Sequence, residues 1–135
     1  MSLKRQIQTG PNFTPAYQSS GTPFVTGSTG SQSLKGTAQK IEFPYVTRFF
    51  QIDCYGPGPL YYAFSENGIT DNPGTADNRM YLTGSSPRLE VRCKEMWFVK
   101  AGGPNTDFTL IAGLTGISEN QFPSLTGSEG YKGIG

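Results

Sequence analysis

Histidine is absent from the 135 residues, and with it go the commonest general base, the commonest zinc ligand and the usual activator of a serine or cysteine nucleophile. No catalytic motif takes its place, so the sequence reads as that of a non-enzyme. Cysteine is scarce. Cys54 and Cys93 are too few for a disulfide framework and lack the CxxC spacing of a metal or redox site, which leaves them as small apolar groups. Charged residues make up only 16%, and the net charge of +1 is too small to hold nucleic acid by phosphate neutralisation. No run approaches the ~18 apolar residues that span a bilayer. The opening Met1-Ser2-Leu3-Lys4-Arg5 leads into polar residues rather than an apolar signal core, so neither a membrane-spanning segment nor a secretory leader is expected.

Turn formers are plentiful. Gly, Pro, Ser, Thr and Asn account for 60 of the 135 residues, a composition that suits short strands joined by many turns and disfavours long salt-laced helices. Charge is unevenly placed. Residues 1–40 carry Lys4, Arg5, Lys35 and Lys40 and no acid, whereas residues 41–135 carry 7 basic and 10 acidic residues. The chain thus divides into a sparse basic arm and a mildly acidic body.

Residues 1–39 show neither a helical nor a strand period. A segment of this kind buries too little apolar surface to offset its own ordering entropy. Its isolated rings Phe13, Tyr17 and Phe24 suit an arm lying across a neighbouring surface, although a strand packing back on its own body is the other reading. From residue 40 the period of two appears. Ile41 and Phe43 alternate with charged residues, Pro44 interrupts, and Val46, Phe50, Ile52 and Cys54 share one face of the next strand. Gly56-Pro57-Gly58-Pro59 forces a turn, Leu60–Phe64 is a short strand, and Asn67-Gly68 is a hairpin-type turn signal. A strand follows over 79–82. In Arg88–Lys94 every odd residue is apolar and every even one charged, the pattern of an antiparallel strand with one wet face; Arg88, Glu90, Arg92 and Lys94 read as that solvated row. Met96–Val99, apolar on both faces, and Phe108–Ala112 complete the set. The tripeptide Leu-Thr-Gly at 82–84, 114–116 and 125–127 is expected to end strands, and the last 23 residues form a Gly-rich tail. Strands of this length and spacing fit one β-sandwich, either immunoglobulin-like or a jelly roll of eight strands.

Chemical sites are faint. The acids are scattered singly, Asp71–Asp77 lacks the spaced acids of a calcium loop, and the prolines of 56–59 remove the N–H donors a phosphate loop needs. No metal or cofactor is expected. Tyr45, Tyr61, Tyr62, Tyr81 and Trp97 could include an exposed ring platform for glycans, or could fill the core and an assembly face.

At Lys40–Phe50, at Ala63-Phe64-Ser65-Glu66-Asn67-Gly68 and at Phe108–Ile117 the chain resembles the small single-jelly-roll capsid proteins of large icosahedral double-stranded DNA viruses. The resemblance spans residues 40–135 and implies an all-β fold: a single jelly-roll β-sandwich of about eight antiparallel strands, with residues 1–39 as an extended N-terminal arm. It implies a penton or other minor capsid component of the virion, a homopentamer that also contacts neighbouring capsid proteins, with no active site; no small-molecule substrate is expected, and the near-neutral charge argues against a nucleic-acid partner. Lys4, Arg5, Phe13, Tyr17, Phe24 and Trp97 are the expected assembly contacts. A glycan-binding attachment module, or a cement or decoration protein of the capsid, is the alternative.

Overall fold

The computed structural model of the protein describes residues 22–28, 33–70 and 78–125. In chain order the strands are β1 (Pro23–Ser28), β2 (Gln39–Glu42), β3 (Tyr45–Pro57), β4 (Leu60–Ala63), β5 (Met80–Leu82), β6 (Gly84–Ser85), β7 (Glu95–Lys100) and β8 (Thr106–Ser118). A one-turn helix α1 (Glu66–Ile69) follows β4, and a 3-10 turn, Glu119–Gln121, follows β8. Two four-stranded antiparallel sheets result, with orders β1-β8-β3-β6 and β2-β7-β4-β5. The architecture is an all-β sandwich.

Except between β4 and β5, each strand lies in the opposite sheet from the one before it, and proline explains several of the crossings. Without an N–H a proline cannot continue a ladder. Pro44 separates β2 from β3, Pro57 closes β3 and Pro59 separates it from β4, and Pro104 separates β7 from β8, so the chain leaves one sheet where the ladder can no longer be extended.

The period of two places Ile41, Phe50, Ile52, Leu60, Tyr62, Met96, Phe98, Phe108, Leu110, Ala112 and Leu114 between the sheets, all buried. The central contact crosses the layers: the rings of Phe98 on β7 and Phe108 on β8 stack with centroids 4.5 Å apart and an interplanar angle of 24°. Offset stacking of this kind adds to area burial. Polar groups fill the places where pairing is irregular. Register shifts interrupt the β3–β8 ladder between Tyr45 and Phe49. There the buried hydroxyl of Thr47 donates to the Val91 carbonyl at 2.8 Å and accepts from the Cys93 N–H at 3.0 Å, while Thr115 donates to the Val46 carbonyl at 2.7 Å.

Several sequence expectations are corrected. The arm–body boundary at residue 39/40 falls inside β2, and β1 belongs to the sandwich: it pairs along its whole length with β8, and Leu34 is buried and exchanges backbone hydrogen bonds with Thr106 at 2.8 and 3.1 Å. Period failed to reveal β1 because the short polar side chains Thr26 and Ser28 share its inward face with Phe24. The alternating segment 88–94 is not a regular strand. It runs beside β3, joined through Phe50–Leu89 and Thr47–Cys93 backbone bonds, but Pro87 and the hydroxyls of Ser86 and Thr47 take over ladder positions. Its charged row divides: Arg88 and Glu90 form an exposed ion pair, whereas Arg92 donates to the Arg48 carbonyl and Lys94 to that of Phe122. Asn67-Gly68 lies in α1, because Ser65 caps that turn by accepting from the Gly68 N–H at 2.9 Å. Of the Leu-Thr-Gly copies, the first does end a strand, with Gly84 at φ +75°, while Leu114-Thr115-Gly116 lies inside β8; the third extends beyond the described residues.

Two stability predictions follow from this packing. Phe108→Ala should cost about 3–5 kcal/mol in urea unfolding, against less than about 0.5 kcal/mol for Val25→Ala on the surface. Thr47→Val should cost about 1–3 kcal/mol by leaving the Cys93 N–H and the Val91 carbonyl unpaired, and Thr47→Ser should recover most of that loss.

Candidate functional site

On the sheet β2-β7-β4-β5 the residues that alternate with Met96 and Phe98 face outward. The register sets Trp97 between Lys40 on β2 and Ala63 on β4, and sets Val99, Tyr61 and Tyr81 across the neighbouring rung. The Tyr61 and Tyr81 rings meet edge to face at 5.6 Å. The guanidinium of Arg79 lies 3.9 Å from the Tyr61 ring centroid, and Lys40 Nζ lies 5.6 Å from that of Trp97. An aromatic strip edged by cations therefore crosses this face.

Lys40 organises one end of the strip. Its ammonium donates to Glu42 at 2.7 Å and to Glu95 at 2.9 Å. These hydrogen bonds, Glu42 first, hold the ammonium well above its ordinary pKa, and the bond from Lys40 lowers that of the Glu42 carboxyl. Lys40 and Glu42 are open to solvent, so their pair contributes little to stability, whereas the Glu95 side chain is only 15% exposed; together the two pairs fix where the charges sit. Beside them Lys40, Glu66, Asn67, Glu95, Trp97 and Leu125 line a cleft of about 260 Å³. The Trp97 indole N–H is buried yet makes no hydrogen bond, a cost of about 1–3 kcal/mol in the side chain that forms the cleft's aromatic wall.

The outer face of β1-β8-β3-β6 differs. Val25 (70% exposed) stands opposite Ile111 (45% exposed), which stands opposite Gln51, giving an uncharged centre. The Phe49 ring lies across Gly113, where a Cβ would come within 2.4 Å of it, so glycine is required beneath that ring. The Arg88 guanidinium lies 4.2 Å from the Phe49 centroid, and the Tyr55 and Thr109 hydroxyls are hydrogen-bonded at 3.0 Å.

Of the sequence-predicted assembly residues, Phe24 and Trp97 lie among the described residues. Lys4, Arg5, Phe13 and Tyr17 lie outside the described residues, as does the loop Asp71–Asp77. Phe24 is spent within the sandwich, its ring against Phe43 at 5.1 Å, because β1 pairs with β8 and turns that side chain inward beside Ala112. Trp97 is on the outer face of the other sheet. What the sequence left unassigned is the pairing of Tyr61 with Tyr81 and the nearness of Glu66 and Asn67 to Trp97. The tyrosines were visible as residues, but their shared rung depends on which strands are neighbours.

Cys54 and Cys93 are free and buried. Burial pushes the Cys93 thiol up to about 12, which makes it a poor nucleophile although it borders a small apolar cavity of about 190 Å³ beneath Phe122 and Pro123. Among the described residues no group of acids and cysteines could hold a metal ion, and no helix is long and apolar enough to cross a membrane. Compared with protein-family models, curated proteins and solved structures, the chain matches none.

Because folding raises the Cys93 pKa, it favours the neutral thiol, a contribution present in full below the ordinary value of 9.0 and lost as pH rises toward 12. The stability gap between the native chain and Cys93→Ala should accordingly narrow above pH 9 in urea titrations. A gap that stays constant to pH 11 contradicts the assignment.

Proposed function

We propose that the protein is a structural component of an icosahedral virion, a vertex (penton) capsid protein that assembles as a pentamer and contacts neighbouring capsid proteins. The observation that carries this reading is the nesting of its strand pairs: β1 with β8, β2 with β7, β3 with β6 and β4 with β5. Such nesting is what results when one long antiparallel hairpin, closed between β4 and β5, is rolled so that β8 also meets β3 and β7 also meets β4. Such nesting supports a jelly-roll reading of the sandwich, a framework used by capsid and lectin domains and by cupins. Of these, cupin-type metal chemistry finds little support in a chain without histidine.

Fold alone does not give function, and two surface features add support for assembly. The centre of the β1-β8-β3-β6 face presents exposed Val25 and Ile111 with no charge between them. The net charge of +1 offers no general repulsion between copies. In a five-fold ring the contacts are head to tail, so this face would meet a different surface of the next copy. The arm role falls to residues 1–21, with Lys4, Arg5, Phe13 and Tyr17 as its contacts. It cannot reach further along the chain, since β1 and Leu34 are parts of the sandwich.

Light scattering on the full chain across concentration and salt tests the ring. A mass five times that of the 14.6 kDa chain is expected, and persistence as a monomer up to the solubility limit overturns the pentamer. Deleting residues 1–21 should leave the unfolding transition in place and abolish assembly. Val25→Lys combined with Ile111→Glu should also leave the fold intact and lower the mass to that of one chain.

A further inference from the structure

We propose that the cleft beside Trp97 is a binding site for a single uncharged sugar ring. Three observations converge there. The first is the aromatic wall. An indole offers a flat apolar surface against the C–H face of a pyranose, and the register that sets Ala63 opposite Trp97 puts a small residue beside it. The Tyr61–Tyr81 pair on the next rung provides further ring surface for a longer glycan.

The second is the set of polar groups. Glu66 and Glu95 are acceptors, Asn67 is both donor and acceptor, and Lys40 is a donor, all lining the one cleft with Trp97. Neighbouring sugar hydroxyls need this mixture, because each hydroxyl donates once and accepts from others. The Trp97 N–H is buried and makes no hydrogen bond, so the indole serves the cleft through its ring and not through that donor.

The third is size and charge. About 260 Å³ falls just below the ~300–1,000 Å³ of sites that hold drug-sized ligands, room for one ring. Two carboxylates face one ammonium in the lining, and that ammonium already bonds Glu42 as well. The surplus negative charge admits neutral sugars and repels sialic and uronic acids.

The chain contains one tryptophan, so the ¹⁵N-labelled protein gives a single indole N–H cross-peak that reports this site. Titration with the methyl glycosides of glucose, galactose and N-acetylglucosamine should move that peak saturably for at least one of them, with a Kd of about 1 mM for so small a contact. Sialyllactose and glucuronic acid should bind at least about tenfold more weakly. Glu66→Ala, an exposed position that leaves the tryptophan in place, should weaken the response by about tenfold. The proposal is overturned by a peak that no neutral glycoside moves, by equal responses to neutral and anionic sugars, or by an unaltered response in Glu66→Ala. A peak that moves with protein concentration and not with sugar also overturns it and gives the face to self-association. The mass of the same sample, read separately, decides the ring, so either proposal can fail without the other.

Discussion

The antiparallel pairing of β3 with β8 is the constraint on which the rest of the molecule hangs. These are its two longest strands, 13 residues each, and they lie side by side in the middle of their sheet, with β1 on one flank and β6 on the other. Their inward residues, Phe50 and Ile52 from one and Phe108, Leu110, Ala112 and Leu114 from the other, form one side of the core. The second sheet closes over them through Phe98, Tyr62 and Met96. Because β3 and β8 are distant in sequence, the loop entropy of bringing them together precedes any reward from the core, and the fold depends on non-local contacts throughout.

Short hydroxyl side chains make that arrangement possible where backbone pairing fails. Thr47, Ser65, Ser86, Thr106 and Thr115 are all buried, and each hydrogen-bonds to backbone groups. Ser86 accepts from the Ile52 N–H at 2.9 Å, and Thr106 donates to the Gly58 carbonyl at 2.9 Å beside the crossing from β3 to β4. A chain with so few charged residues has little use for salt bridges inside the sandwich. The Lys40–Glu42 and Arg88–Glu90 pairs lie at the surface, where they position groups more than they stabilise the fold.

The two outer faces have different chemistry for a topological reason. On β1-β8-β3-β6 the outward positions near the centre are Val25, Ile111 and Gln51 on one rung and Thr109 beside Asp53 on the next, an apolar patch with a charge at its edge, suited to being covered by another protein surface. On β2-β7-β4-β5 they are Trp97, Tyr61 and Tyr81 with Lys40, Glu95 and Arg79 at hand, a mixture suited to a ligand with both apolar and hydroxyl faces. A subunit that assembles through one face and binds through the other can do both at once, and the proposed ring and the proposed sugar cleft are compatible on that geometry.

Composition, the period of two and the positions of proline determined a great deal by themselves. They fixed the all-β class, the inward row of Phe50, Ile52 and Cys54 on β3, and the breaks at Pro44, Gly56–Pro59 and Gly102–Pro104. These are legible because they follow from local rules: alternation tells which side is buried, and a residue without an N–H ends a ladder. Only the tertiary structure decided that Pro23–Ser28 is a strand, since its edge is filled by β8 from the far end of the chain. Only it decided that the best alternation, Arg88–Lys94, is an irregular rail along β3, because buried hydroxyls compete for the ladder bonds there. The same holds for the candidate site. Lys40, Glu66, Trp97 and Tyr81 come from four separate segments, and what brings them onto one face is strand order and register, which depend on long-range pairing that no local pattern encodes.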